Sequence, residues 1–593
     1  MKNCSLNSPD VITDVAYRFD SFDNGEVLLG KKKNHLPAMG WNSWNAFGSG
    51  NTEALTKEMA DKFIELGLDK LGYKYLVLDD GCYKQERVDG LLSNDEVKFP
   101  SGFKALSDYC HEKGLKFGMY NDIGTNLCAG AAVGTCGHEK EDAQSYVDWG
   151  VDFLKVDNCY YLWDNATFSN AENAKYTYAP AISKITVVGN GYKKEFTAYV
   201  NISEKGNGLK TESINGRLYI KGIGTFDGTG PQQTPVGDES GEIYIDVEVE
   251  EGEYTIGLDC AMGAEPDKGN WLQVAINEGS ETKYLFDGVP TEYSIKAYLP
   301  KGNHRIRFMN HRRQENTLYS YAKLLEGLNE ADRDHDIIYS LCEWGKTQPQ
   351  NWAKKVGDSW RILNDITFAV GSDKNPGKAD WTSDYTNSVT SQYNKAVIMD
   401  EFSGLQKGWN DPDMMVIGMN GLDLNQNKTH MAMWCMMNAP LMLGIDLRRV
   451  KKGDELYEII ANQDLIALNQ DSLGIQAKRI GCSLLKENFD KEYVTNNDRV
   501  DILAKPLSDG GVALSFINLS GNDNDERFIV SVAEILEKIG SKMPENFVEN
   551  WKTAKKFIIT DLWSKEIRES EDCEFFVDGL KAYENVTIKI SAQ

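Results

Sequence analysis

The sequence predicts an α/β chain: a (β/α)8 TIM barrel with an inserted β-sandwich domain and a C-terminal antiparallel β-sandwich. Three repeats of one pattern carry the barrel. Lys70-Leu71-Gly72 leads into the apolar run 73–78 and ends at Asp79-Asp80. Lys113-Gly114 leads into 115–120 and ends at Asn121-Asp122, and Trp149-Gly150 leads into 151–154 and ends at Lys155-Val156-Asp157. Each reads as a helix stopped by a left-handed glycine, then a strand, then acid at the strand's tip. The carboxyl ends of parallel barrel strands are where this fold places its chemistry.

Residues 1–35 read as a polar lead-in, with Lys31-Lys32-Lys33 as a solvated loop. A first strand falls at 39–44, and a helix at 53–71 carries Leu55, Met59, Phe63 and Leu66 on one face. Further helices fall near 102–113 and 140–149. From 179 to 317 the text changes to short alternating runs (241–249, 254–258, 271–276, 304–308) separated by Gly, Pro and Asp. That is the signature of an antiparallel sandwich. A helix at 319–328, with Tyr321, Leu324 and Leu328 on one face, supplies what the fourth unit lacks. The barrel therefore spans 36–178 and 318–474, with the sandwich in its fourth βα connection, where an insertion leaves the core intact. Strands five to eight fall at 337–344, 359–365, 408–414 and 440–446, with a Met-rich helix at 430–437 and a last helix running to 468. Alternation returns over 475–593, as in 512–518 and 557–563, and predicts the C-terminal sandwich.

Composition narrows the function classes. At roughly 150 residues per domain, 593 residues imply three or four units. A net charge of −26 opposes nucleic acid and anionic membrane as partners. No apolar run of about 18 residues can span a bilayer, and the first residues lack a leader's apolar core. The expected location is the cytoplasm, or outside the cell if a leader was removed. Eleven cysteines are too dilute for a disulfide scaffold and show no zinc spacing. No phosphate loop or metal-ligand spacing implies a cofactor or metal.

The strand tips collect Trp44, Asp79, Asp80, Tyr120, Asp122, Lys155, Asp157, Glu343, Arg361, Asp365 and Asp413, while the chain's seven histidines form no paired motif. Many carboxylates with few histidines suit glycoside hydrolysis, which needs two carboxyls flanking one bond. Lys155 precedes Asp157 by two residues and so shares its strand face. Its charge is expected to keep Asp157 ionised. Arg361, four residues before Asp365, can fork onto a carboxylate or sugar hydroxyls.

The blocks Met39-Gly40-Trp41-Asn42-Ser43-Trp44, Leu78-Asp79-Asp80-Gly81, Lys98-Phe99-Pro100-Ser101-Gly102, Leu115-Lys116-Phe117-Gly118-Met119-Tyr120, Leu154-Lys155-Val156-Asp157-Asn158-Cys159, Ser340-Leu341-Cys342-Glu343-Trp344-Gly345, Ser359-Trp360-Arg361 through Asp365-Ile366, and Trp409-Asn410-Asp411-Pro412-Asp413-Met414 together resemble glycoside hydrolase family 27, the melibiase or α-galactosidase family. The resemblance implies a retaining α-galactosidase with Asp157 as nucleophile and Asp365 as general acid/base. It implies that Asp79 and Asp80 bind the 4- and 6-hydroxyls, Lys155 the 3- and 4-hydroxyls, and Arg361 with Glu343 the 2-hydroxyl side. Trp44 and Met414 would pack on the sugar's apolar face, with Tyr120 and Asp413 lining the pocket and Asp411 as the alternative to Asp413. Cys128 and Cys159 match a pair bridged in the family, although a reducing compartment would keep both as thiols.

Departures from the pattern shape the substrate expectation. Cys82-Tyr83 stands where the family has a tryptophan at the pocket rim. Glu343, bulky and acidic, is expected to favour a free 2-hydroxyl over α-N-acetylgalactosamine, and Asp79-Asp80 to favour galactose over β-L-arabinopyranose. The insert resembles a carbohydrate-binding module, with a spacer or an oligomerisation surface as the equal alternative and Asn310-His311-Arg312-Arg313 as candidate contacts. The expected partner is an oligosaccharide or glycoconjugate ending in α-galactose, with a homo-oligomer left open. Transglycosylation on the same fold, or a sugar-binding protein without catalysis, are the alternatives.

Overall fold

The computed structural model describes residues 2–5, 33–160, 178–198, 200–206, 208–224, 241–261, 270–277, 281–286, 292–334, 336–366, 369–372, 375–383 and 387–593. Eight parallel strands form the barrel: β1 (Met39–Asn42), β2 (Tyr75–Val77), β3 (Lys116–Asp122), β4 (Phe153–Asp157), β5 (Ile338–Cys342), β6 (Ser359–Arg361), β7 (Trp409–Asp411) and β8 (Leu441–Leu443). From β1 to β7 each strand pairs with the next, and β8 pairs with β1. The seam between β7 and β8 is closed by Met415, whose N–H donates to Met442 at 2.8 Å and whose carbonyl accepts from Gly444 at 3.0 Å. Close strand approach explains one glycine, since a Cβ at Gly40 would lie 2.1 Å from the Tyr75 carbonyl oxygen.

Period-two alternation sorts the barrel side chains into an outer and an inner set. Met39, Trp41, Leu76, Leu154 and Val156 point outward into the main core under the helices. Ala38, Val77, Phe153, Ile338, Met414 and Met442 fill the interior, with Tyr75 and Trp44 packed on them. The next inward positions along the strands, above this plug, are Asp79, Tyr120, Lys155, Asp157, Cys342 and Arg361.

The helix expected at 53–71 ends at Leu66, because Gly67 adopts φ 74°; a 3-10 turn, Leu68–Leu71, completes the segment. Strands β5 to β8 are shorter than expected. Trp344 and Asp413 take left-handed backbones, φ 60° and 75°, which end the ladders and put Trp344, Asp365, Asp413 and Met414 in the loops above the strands. The helix of the fourth unit runs over Arg312–Ala331, so the barrel resumes at 312 rather than 318. Tyr321 on this helix donates to the Val156 carbonyl at 3.2 Å and locks it to β4.

The insert is a sandwich of two sheets with a core of its own, including Ile185, Val187, Ile245, Ile256, Ile295 and Phe308. The lead-in contributes to it: Lys2–Ser5 pairs parallel with Glu292–Leu299. Lys31 and Lys32 lie outside the described residues, whereas Lys33 faces Asp336 at 3.3 Å. The C-terminal unit is a six-stranded antiparallel sheet with a separate strand pair, and it also holds two helices, Val532–Ile539 and Glu545–Thr553, that the alternating pattern did not announce. One face of its sheet, through Leu503, Ala513 and Ile517, joins the barrel's core. The other face has a core around Phe516, Trp551 and Phe575.

Candidate active site

Asp157 ends β4, with Tyr120 beside it on β3. The Tyr120 hydroxyl donates to Asp157 Oδ2 at 3.1 Å, and the Asn158 N–H donates to Oδ1 at 2.9 Å. Asp157 is 5 % exposed. Burial pushes its pKa up to about 7; Lys155 offsets part of that rise, and the charge of Asp365 adds to it. Lys155 thus acts in the expected direction, favouring the ionised form of Asp157 against its burial. The Lys155 ammonium is bonded to Asp79 Oδ2 at 2.8 Å, and burial outweighs what its charge does for Asp157. Lys155 itself is buried, which alone would lower its pKa, yet Asp79 holds it well above the ordinary value.

Asp79 and Asp80 are both buried above β2. Asn42 Nδ2 donates to Asp79 Oδ2 at 2.8 Å, and the N–H groups of Gly81 and Ala129 donate to the two oxygens of Asp80 at 2.6 Å. Burial, with the Asp79 charge beside it, raises Asp80 to about 6. Ala129 belongs to the loop that follows Cys128, and Cys128 is joined to Cys159 by a disulfide with Cα atoms 5.3 Å apart. The pairing left open by the sequence is thus made. Asp122 anchors the far side of the bridge by accepting from the Cys159 N–H at 2.6 Å. Asp122, Cys128, Asp157 and Cys159 bring potential ligand atoms within 4.8 Å of one another, but the two sulfurs are bonded to each other.

On the opposite wall, Arg361 of β6 reaches two acids. Its Nη2 lies 2.8 Å from Asp413 Oδ2 and donates to Asp365 Oδ1 at 3.1 Å. Its Nε is buried with no partner among the described residues. Asp413 holds its surroundings rather than the cavity, because its oxygens also accept from the N–H groups of Ile366 at 2.8 Å and Met414 at 2.7 Å. Asp411, level with Arg361 on β7, is the more open of the two, and burial raises it to about 6. Asp365 sits at the mouth with its side chain 55 % exposed.

Two expectations fail. Glu343 is fully buried and turned away from the cavity, its Oε2 accepting from the Thr347 N–H at 2.9 Å and hydroxyl at 3.0 Å. Burial raises it to about 8. The residue on the cavity side is Cys342, level with Asp157 in the β4–β5 register and 3.6 Å from Arg361 Nη1. Cys82 and Tyr83 are likewise buried, and the Tyr83 ring packs on Phe103 at 5.4 Å instead of facing the rim. Beyond Cys342, the fifth loop contributes Trp344, whose buried Nε1 has no partner among the described residues, and Lys346, whose ammonium lies 4.0 Å from the Trp344 ring and 3.2 Å from Asn158 Oδ1. Counting by twos from Ser340 would have found Cys342. Trp344 and Lys346 are set by a left-handed turn at Trp344 and Gly345, φ 60° and 75°, of which the sequence shows only the glycine.

A closed parallel barrel with acids and an arginine converging above its inner plug is the architecture of a glycoside hydrolase. The chain belongs to the melibiase family, whose model, described as Alpha galactosidase A, matches residues 36–209 and 266–471. The chain is 28 % identical over 488 residues to an alpha-galactosidase of Cyamopsis tetragonoloba, covering 82 % of this chain and 73 % of that one. It is 26 % identical over 497 residues to alpha-galactosidase A of Cellvibrio japonicus, covering 83 % and 78 %. The fold matches the crystal structure of alpha-galactosidase I from Mortierella vinacea with a TM-score of 0.57 at 21 % identity, over 94 % of this chain and 97 % of that one.

Proposed function

We propose that the protein is a retaining α-galactosidase that hydrolyses terminal non-reducing α-D-galactosides through a covalent galactosyl-enzyme. The observation that carries the reading is the contrast between two carboxyls of one cavity. Asp157 is buried among hydrogen-bond donors, whereas Asp365 is open to solvent at the mouth and close enough for its charge to act on Asp157. In its ionised form Asp157 attacks the anomeric carbon while Asp365 protonates the leaving oxygen. Asp365 then draws a proton from water as the water displaces Asp157, so the anomeric configuration is retained. Asp79, Asp80 and Lys155 form the polar wall that takes the ring hydroxyls, and Trp44 with Met414 supplies the apolar floor. Cys342, Trp344 and Arg361 meet the side that the sequence had assigned to Glu343. The relatives in the family that carry the name alpha-galactosidase support galactose as the ring recognised.

The test compares p-nitrophenyl α-D-galactoside with p-nitrophenyl β-L-arabinopyranoside and follows the released sugar's anomer by NMR. Turnover of the galactoside with α-galactose appearing first is the expected result. Asp157→Asn lowers kcat by at least roughly a thousandfold and leaves the circular dichroism spectrum unchanged. Full activity in that variant refutes the assignment.

A further inference from the structure

A second cleft, of about 750 Å3, opens between the last barrel helices and the C-terminal sheet. Leu71, Ile459 and the rings of Tyr457 and Trp563 give it apolar surface; Lys428, Glu458, Gln463, Asp464, Ser564 and Lys565 give it polar groups. Leu71 precedes β2, so the cleft lies toward the amino-terminal end of the barrel, away from the strand tips that hold Asp157. We propose that this cleft is a non-catalytic binding site for a neutral polysaccharide.

Three observations support a ligand rather than a simple joint between units. First, the joint has polar ties beside the indole, which packs one side on the barrel's core. The Lys565 ammonium donates to Asp464 Oδ2 at 2.6 Å, Asn462 Oδ1 at 3.0 Å and the Leu562 carbonyl at 2.7 Å, tying the C-terminal turn to the barrel. Second, Trp563 is held without being enclosed. Its Nε1 donates to Asn585 Oδ1 at 2.8 Å, and the side chain is only half-buried, which leaves a fixed ring beside open space. A rigid aromatic surface flanked by hydrogen-bonding side chains suits a sugar, whose C–H face is apolar and whose edge is polar. Third, the charges balance. Lys428 and Lys565 face Glu458 and Asp464, so the cleft favours neither an anionic nor a cationic polymer. Lys428 lies 5.5 Å from the indole centroid.

That the polymer is one bearing terminal α-galactose rests on the galactosidase reading, since a distant anchor on the substrate raises its local concentration at the mouth. The test uses the full chain carrying Asp157→Asn, so that nothing is consumed, in native gels containing guar galactomannan. Retardation of this protein is expected, with Trp563→Ala and the exposed Gln463→Ala each weakening it, the former roughly tenfold. In the otherwise native enzyme, Trp563→Ala raises KM for galactomannan and leaves KM for p-nitrophenyl α-D-galactoside unchanged. No retardation of the parent, equal retardation of parent and Trp563→Ala, or retardation by heparin in place of galactomannan overturns the proposal. Should Trp563→Ala fail to fold, undiminished retardation of Gln463→Ala overturns it instead. Activity on the small galactoside reports the catalytic reading separately, so either reading can fail while the other stands.

Discussion

Cys342 is the last residue of β5 and Glu343 the first beyond it, and the alternation of that strand puts Cys342 on the cavity side. Cys342 is level with Asp157, so the carboxyl of Glu343 is carried to the far side and buried with one oxygen, Oε1, unmatched by a donor among the described residues. A buried carboxyl in that position is retained as the neutral acid, and its pKa rises from 4.5 to about 8. The consequence for stability has a definite sign. Between those two values the folded protein keeps a proton that the unfolded chain has released, so stability falls as pH rises through that window and is complete only below it. Asp80, Asp411 and Asp157 act in the same direction but finish by about pH 7. Glu343→Gln supplies the neutral form permanently. The variant is expected to lose less Tm than the parent between pH 7 and 8, and to keep kcat/KM for the small galactoside within about threefold. A drop in kcat/KM of about a hundredfold, the size expected when a buried polar contact to substrate is removed, returns Glu343 to the cavity.

At the scale of elements, the legible part of the chain was the part governed by period. Gly150 after its helix, the alternation of β3 and β4, and the acid at each tip placed Tyr120, Lys155 and Asp157 correctly on one wall. Past the carboxyl end of β5 the strand's alternation stops, and there the assignment slipped by one residue at Glu343. The helix Arg312–Ala331 was read ten residues short, seven of them at its start, because its first turns are polar, being occupied by Asn316, Gln314 and Glu315. The disulfide element was visible only as a pair of cysteines; what it does needs coordinates. It closes a loop with a sequence separation of 31 residues, whose Ala129 N–H holds Asp80 while Cys159 N–H is held by Asp122. Opening a loop of that length is expected to cost about 3–4 kcal/mol on chain-entropy grounds. The double variant Cys128→Ala, Cys159→Ala is therefore expected to have a lower Tm and a higher KM for the galactoside, since Asp80 loses its fixed donor, with a smaller change in kcat. Unchanged KM would mean that Asp80 is positioned by Gly81 alone.

For the whole molecule, the cores settle which parts stand together. The barrel's core runs without a break into Leu503, Ala513, Ile517 and Leu562 of the C-terminal sheet, so these two units share apolar contacts that neither can lose separately. The insert has its own closed core, and its buried ion pair, Arg307 to Glu242 at 2.7 Å, is internal to it. A unit whose buried contacts are nearly all its own unfolds as its own cooperative block. Calorimetry is expected to show two transitions, the larger one from the barrel with the C-terminal sheet and the smaller one from the insert. A ligand stabilises only the state to which it is bound. Galactose held between Asp79, Lys155 and Arg361 should thus raise the larger transition and leave the smaller one in place. A single transition that moves as a whole with galactose would show that the insert, despite its separate core, is tied energetically to the fourth βα connection from which it emerges. A smaller transition that also rises would mean that the insert binds galactose in its own right, the role its sequence suggested.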